Sequence, residues 1–103
     1  MKRKTYAPSA SHEQKVVEWI KKDPLAAVEY LKAAVEEADD PRVFFIALRR
    51  TIEARGGIAH VARKAGIERE SLHRALSGRG NRRFSTLAAV AKAIGLRLTV
   101  EPT

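Results

Sequence analysis

Polar side chains that can read the edges of nucleic-acid bases follow a single glycine in the middle of the chain. Gly66 separates two segments of helical period, and glycine alone enters the left-handed backbone of a tight turn without steric cost. A helix laid in a major groove presents its first turns to base edges, where arginine pairs with guanine and a carboxylate accepts from cytosine. The sequence therefore predicts base contacts by Arg69, Glu70, His73 and Arg74.

Each of these side chains also has a simpler interpretation. A carboxylate at a helix N-terminus stabilises the helix dipole, and for Glu70 this role and base contact remain equally open. For Glu68 we expect the dipole role alone. Arg69 could be a solvated surface charge, but its place in the first turn of the second segment favours base contact.

A basic loop punctuated by glycines follows the second segment and suits a phosphate backbone. Arginine and amide side chains donate to phosphate oxygens, and such contacts position a protein on a duplex. The alternative is an ordinary solvated loop, and charges on a helix face are usually only solvated. The predicted phosphate contacts are Arg63, Lys64, Arg79, Asn81, Arg82 and Arg83.

Charge is distributed unevenly along the 103 residues, whose net charge is +8. Residues 41–103 hold thirteen basic and four acidic residues, whereas residues 23–40 hold one basic and six acidic residues. A basic surface favours a polyanionic partner, although charge alone could serve only solubility. The acidic segment indicates a second surface that faces a different partner.

Enzymatic chemistry is not expected from this composition. The chain has no cysteine, and His12, His60 and His73 lie without the spacing of a metal site. We therefore expect no catalytic residue, no metal and no cofactor. The basic N-terminus is not followed by an apolar stretch, and no apolar run is long enough to span a bilayer. A cytoplasmic location without membrane association is the expectation.

Helix-forming residues dominate, so the sequence predicts a largely helical fold. The dipeptides Asp23-Pro24 and Asp40-Pro41 each combine an N-cap with proline at the first helical position. We expect Ser85 to cap the last helix, with Phe84 stapled to the core before it. The expected helices span residues 12–22, 24–38, 41–55, 58–65, 69–76 and 86–94, with Val35 in the apolar stripe of the second.

The residues after Gly95 alternate apolar and polar side chains and predict one short C-terminal strand. A lone strand leaves backbone groups unpaired, and the same strand of a second copy is its easiest partner. The alternative is a tail folded back on its own core. The predicted dimer contacts are Leu96, Leu98 and Val100.

Four motifs lie along the chain: a Tyr-Leu-x-x-Ala core before acidic residues, an arginine-led second helix, a Gly-Asn-x-Arg-Phe-x-Thr-Leu motif and a closing Gly-Leu-x-Leu. With them the chain resembles, over residues 15–102 and most specifically in its C-terminal half, the Cro/repressor-type helix-turn-helix superfamily, and within it the addiction-module antidote (antitoxin) proteins. Glu68 and Ile58 depart from the serine and glutamine usual at their positions. The matching residues are Tyr30, Leu31, Ala34, Arg69, Ser71, Leu72, Gly80, Asn81, Arg83, Phe84, Thr86, Leu87, Gly95, Leu96 and Leu98.

The resemblance implies an all-α, repressor-like bundle: a flexible basic arm (residues 1–10), a helical extension (11–40) and a DNA-binding domain (41–103) carrying the strand. It implies a homodimer on double-stranded operator DNA that represses its own operon and binds a small basic toxin. The implied toxin contacts are Trp19, Glu29, Glu36 and Glu37, although core packing is the default for Trp19. The alternatives are a stand-alone transcriptional regulator and a protein-interaction module without a specific DNA site.

Overall fold

The computed structural model describes residues 10–37, 39–78 and 83–103, and it describes all their side chains except those of residues 10, 11 and 37. The predicted all-α class is confirmed, because this part of the chain forms six helices. They are α1 (Ala10–Lys22), α2 (Ala26–Glu37), α3 (Pro41–Ala54), α4 (Ile58–Ala65), α5 (Arg69–Leu76) and α6 (Phe84–Ala93).

The predicted C-terminal strand is wrong, since the described residues after α6 contain no strand. Gly95 has a φ of 85° and ends the helix, and the N–H of Leu96 donates to the carbonyl of Ala91 at 2.8 Å. The Leu96 side chain then packs against the core. Alternation alone does not make a strand, because a strand needs a neighbour to accept and donate its backbone hydrogen bonds. The described part of the chain offers no such neighbour.

The main core lies between α3 and the helices that follow it. α3 contributes an apolar stripe at helical spacing that includes Phe45, Leu48 and Ile52. It packs against α1, α2, α4 and α5, while α4 also packs on α6. The largest side chains that are fully buried there are Ile52, Leu72, Val61 and Val90. This cluster fixes α4 and α5 relative to each other.

A smaller cluster attaches α1. Its buried members are Ile20, Ala26 and Ala27, and Leu96 packs against it as well as against the main core. Hydrogen bonds support it: the Arg55 guanidinium donates to the carbonyl of Ile20 at 2.9 Å.

Arg50, which lies within α3, links this helix to α1 and α2. The Arg50 guanidinium donates to the Tyr30 hydroxyl at 2.9 Å, and its Nε lies 3.8 Å from the carboxylate of Glu13. The Arg50 side chain is 15% exposed, whereas that of Glu13 is 52% exposed. Polar groups therefore hold α1 where few apolar side chains are available.

The helix starts follow the aspartates of the sequence only in part. Asp40 caps α3 as predicted: its carboxylate accepts from the N–H of Arg42 at 2.9 Å, with Pro41 in the first turn. Asp23 accepts from the N–H of Leu25 at 3.0 Å, but Pro24 lies in a turn and α2 begins two residues later than expected.

The start of α6 also differs from the prediction. The helix begins at Phe84, with Arg83 as its N-cap residue, so Ser85 lies inside the first turn. The Phe84 side chain is 72% exposed, and the predicted staple to the core is therefore wrong. Phe84 lies on the same side of α6 as Ala91, two turns earlier, but the buried residues of this helix, Val90, Ala91 and Ala93, all lie towards its C-terminal end.

Candidate nucleic-acid interface and acidic surface

A tight turn joins α4 to α5. Gly66 has φ 74° and ψ 30°, in the left-handed region, and its N–H donates to the carbonyls of Ala62 and Arg63. The N–H of Ile67 donates to the carbonyl of Ala62 at 3.0 Å, which completes a Schellman-type helix end. A Cβ built on Gly66 would meet no atom within 4 Å, so the backbone angle alone requires glycine.

The helix after this turn has one buried and one exposed face. Leu72, Ala75 and Leu76 are buried in the core. The four residues predicted to contact bases are all exposed, and their positions along the helix place them on one side. The structure thus brings Arg69, Glu70, His73 and Arg74 together on the solvent face of α5.

The basic side chains of α4 and α5 are not engaged within the described part of the chain. Neither Arg69 nor Arg74 makes an ion pair or side-chain hydrogen bond there, and the same holds for Arg63 and Lys64. Arg42 of α3, in contrast, is paired with Asp40 at 2.7 Å. The positive charges of α4 and α5 are therefore available to an external anion.

The starts of the last three helices share a further feature. The N-cap residues of α4, α5 and α6 are Gly57, Glu68 and Arg83, and none of them makes a side-chain cap hydrogen bond. The first N–H groups of a helix have no partner within the helix. Such donors, together with the positive end of the helix dipole, suit an anion.

The other predicted phosphate contacts fall in two groups. Arg63 and Lys64 lie in the last turn of α4, and both are exposed. Arg83 is exposed at the start of α6. Arg79, Asn81 and Arg82 lie outside the described residues, as does the basic arm.

The predicted toxin contacts lie on α1 and α2. Trp19 is 39% exposed and packs edge-to-face against Tyr30, with ring centroids 6.3 Å apart. Glu29 and Glu36 are exposed and lie two helical turns apart on one side of α2. The side chain of Glu37 lies outside the described part. α2 has no basic residue in its last turn, where acidic groups oppose the helix dipole.

The carboxyl group of Asp40 has a lowered pKa. Hydrogen bonds from the Arg42 guanidinium, at 2.7–3.1 Å, and from its backbone N–H lower the pKa of Asp40 below its ordinary value of 3.8. This carboxyl group holds the start of α3. The group therefore belongs to the fold and not to the exposed face of α5.

Sequence reasoning missed an apolar groove beside the acidic residues. Val35 was expected to face the core, but its side chain is 60% exposed. The side chain of Val28, which lies outside the predicted apolar stripe, is 36% exposed. Both line a groove of about 460 Å³ between α2, the start of α3, α6 and the tail. Val28, an apolar residue outside the predicted apolar stripe of α2, was the available signal in the sequence.

The predicted dimer contacts have different surroundings. Leu96 is partly buried against both clusters, Leu98 is partly exposed and lines the groove, and Val100 is 94% exposed. Leu96 is therefore occupied by the fold of its own chain. The homodimer stays a prediction.

Neither a membrane-spanning helix nor a metal-binding cluster is found among the described residues. No helix there has the length and apolar character needed to cross a membrane. The same residues contain no group of three His, Cys, Asp or Glu side chains placed to hold a metal ion.

The described residues thus define a protein of the all-helical class, with six helices, exposed basic side chains on α4 and α5 and exposed acidic side chains on α2. Residues 12–102 match the model of a family described as probable addiction module antidote proteins, and the chain belongs to that family. It is also 40% identical over 72 residues to an uncharacterized protein of Haemophilus influenzae strain Rd, with 70% of this chain and 72% of that protein covered. No solved structure matches the chain. The family implies a toxin as partner.

Proposed function

We propose that this chain is an antitoxin that represses its own operon, and that it binds operator DNA through α4 and α5 in the manner of Cro/repressor-type helix-turn-helix proteins. The observation that carries the DNA proposal is the exposed face of α5. It presents two arginines, a histidine and a carboxylate, and its arginines have no ion-pair partner among the described residues.

The roles of the residues follow from their chemistry. Arg69, in the first turn of α5, pairs with guanine through two hydrogen bonds, and Glu70 accepts from cytosine. His73 and Arg74 lie one turn further along and contact bases. Contacts to phosphate come from the side chains of Arg63, Lys64 and Arg83 and from the uncapped N-termini, together with Arg79, Asn81 and Arg82.

The antitoxin part of the proposal rests on the family and on charge. Residues 23–40 carry six acidic side chains and one basic one on a chain whose net charge is +8. Nucleic acid is repelled from such a surface, whereas a basic protein is attracted to it. We assign Trp19, Glu29, Glu36 and Glu37 to the surface that meets a small basic toxin.

A homodimer is part of this proposal, since two copies would span two half-sites of an operator. Val100 is the most exposed of the predicted dimer contacts, and we assign it to the contact with a second copy. Sedimentation of Val100→Glu with and without operator DNA tests this part by itself. An unchanged dimer in this variant would move the contact elsewhere on the chain.

The DNA proposal is tested by titrating the full chain against its own promoter and a scrambled duplex at two salt concentrations. Arg69→Ala should cost about 1–3 kcal/mol on the promoter and little on the scrambled duplex, because a base contact discriminates sequence. Arg83→Ala should weaken both alike and reduce the salt slope by about 1. Arg49→Ala, which removes an equal charge from the exposed side of α3, is the matched control.

Equal, weak binding of both duplexes by the wild-type chain would overturn the DNA proposal. The antitoxin proposal has a separate test. The small protein encoded beside this gene should lose its growth inhibition when this chain is co-expressed. Persistent inhibition despite expression of the folded chain would contradict that role.

A further inference from the structure

The ring of His60, in the first turn of α4, lies against the backbone of Gly56. A Cβ built on Gly56 would lie 2.5 Å from Cδ2 and 2.9 Å from Cγ of His60. A real Cβ does not approach another heavy atom so closely, so the ring can lie there only because Gly56 has no side chain. The φ of Gly56 is 116°, which also favours glycine. The loop before α4 therefore provides a place for this ring.

The contact with Gly56 does not engage the ring nitrogens. The His60 atoms nearest to a Cβ at Gly56 are the carbons Cδ2, Cγ and Cβ. His60 is exposed, and its side chain makes no hydrogen bond within the part of the chain that the structure describes. A histidine ring carries one N–H donor when it is neutral and two when it is protonated. The ring is thus placed by the chain, while its donors are left to an external acceptor.

Two further cations share the side of α4 that carries His60. Arg63 and Lys64 follow it by three and four positions, a spacing that makes side chains neighbours on a helix surface. Both are exposed, and neither makes an ion pair with another described residue. We call His60, Arg63 and Lys64 the α4 donor row.

The α4 donor row does not serve the stability of its own helix. Like charges three or four residues apart oppose helix formation, and a cation in the first turn is opposed by the helix dipole. A carboxylate in that turn would be more favourable, but the first turn of α4 has no acidic residue. The composition of the row instead suits an anion that approaches from outside.

We propose that His60 donates a hydrogen bond to a phosphate group of double-stranded DNA, and that Gly56 places its ring for this contact. The inference deepens the proposed DNA binding through α4 and α5 and rests on it. Arg63 and Lys64 lie in the last turn of α4, so His60 adds a contact at the other end of this helix. Contacts to phosphate position a protein on a duplex without reading its sequence.

Two substitutions of His60 separate the donor from the packing of the ring. His60→Phe keeps a ring against Gly56 and removes both nitrogens, whereas His60→Gln removes the ring and keeps an N–H donor. In the titration of the full chain, His60→Phe should bind the promoter and the scrambled duplex about five- to tenfold more weakly, because it loses a hydrogen bond to a charged group. His60→Gln should bind both duplexes more tightly than His60→Phe does.

Wild-type affinity of His60→Phe would show that the ring only packs, and would overturn the proposal. A loss confined to the promoter would indicate a base contact and would also overturn it. His12→Phe is the matched control, because it makes the same substitution at an exposed residue of α1. It should bind as the wild type does, and losses of equal size in the two phenylalanine variants would refute a specific role for His60. Circular dichroism establishes that all three variants are folded.

The wild-type chain separates this inference from the proposed function. Selective promoter binding by the wild type, together with unchanged binding by His60→Phe, would overturn the phosphate contact and leave the repressor role standing. Weak and equal binding of both duplexes by the wild type would overturn the DNA proposal itself, and the role of His60 with it.

Discussion

The helices of the two halves of this molecule begin in different ways. In the N-terminal region, defined as α1–α3, the carboxylates of Asp23 and Asp40 accept backbone N–H groups at the starts of α2 and α3. In the C-terminal region, defined as α4–α6, no N-cap residue makes a side-chain cap hydrogen bond. A side-chain cap stabilises its helix by about 1 kcal/mol. The C-terminal region leaves that stabilisation unused and keeps its N–H groups available.

Packing differs between the two regions in the opposite sense. The main core holds α3–α6 around large buried side chains, whereas the buried members of the small cluster are Ile20 and two alanines. In the N-terminal region the starts of α2 and α3 are therefore capped, but α1 is weakly packed. The C-terminal region is well packed, but its N-cap residues make no side-chain cap hydrogen bond, and the arginines of α4 and α5 make no ion pair within the described part of the chain. Features that would add stability are missing where the chain is proposed to bind DNA.

The largest expected effect separates the two clusters. Leu72→Ala should lower the free energy of unfolding by about 2–5 kcal/mol, because it opens a cavity in the main core. Ile20→Ala should release α1 while the rest stays folded, since α1 can separate from the main core. Chemical denaturation measures the first effect, and amide hydrogen exchange locates the second. Loss of protection in α3–α6 of Ile20→Ala would show that the two clusters unfold as one.

The turn between α4 and α5 comes next in size. Gly66→Ala should cost about 1 kcal/mol, because alanine resists the left-handed region. Gly66→Asn should cost less, since asparagine tolerates that region. In both variants the added Cβ has no atom within 4 Å. Thermal unfolding of the two variants measures the difference. Equal losses of stability in the two variants would mean that any side chain is unfavourable at this position, whether or not the residue tolerates the left-handed region.

Adding a cap to the C-terminal region should have a smaller effect in the opposite direction. Glu68→Asp keeps the charge and supplies a good capping side chain, so stability should rise by roughly 0.5–1 kcal/mol. Glu68→Gln is the control, because it removes the charge without adding a cap. Denaturant unfolding of both variants measures the change. A stability no greater than that of the wild type would indicate that the start of α5 is already satisfied.

The smallest expected effect is the acid sensitivity of α3. The pKa of Asp40 is lowered in the folded chain by its hydrogen bonds with Arg42. The ionised carboxyl group is therefore more stable in the folded state than in the unfolded state. The resulting stabilisation is present above the unfolded value of 3.8 and is lost as the pH falls through the lower folded value. Asp40→Asn keeps a capping side chain and should remove this part of the acid dependence. Parallel acid titrations of the two proteins check it.

Local signals in the sequence predicted the helices well. Gly66 marks the turn because its backbone angle is unusual, and α4 and α5 span the expected residues. The dipeptide Asp40-Pro41 fixed the start of α3 for a similar reason. These features depend on neighbours within a few residues, which the sequence displays directly.

Features that depend on distant parts of the chain were predicted less well. The alternation from Leu96 to Val100 lacked a pairing neighbour and formed no strand, and Phe84 had no core position within reach. Val35 follows the apolar pattern of α2 but faces the groove, because α3 and α6 do not close over it. The exposed face of α5 was predictable, since only its opposite face carries apolar side chains at helical spacing.

The two-sided packing of Leu96 also affects how the chain is made. Ile20 is synthesised early, yet the small cluster that buries it includes a leucine added much later. At roughly 5–20 residues per second, translation takes several seconds to cover that interval. During that time the apolar side of α1 lacks one of its partners. α1 therefore completes its packing only after Leu96 has been made, and a nascent chain presents this surface to chaperones and proteases before the cluster closes.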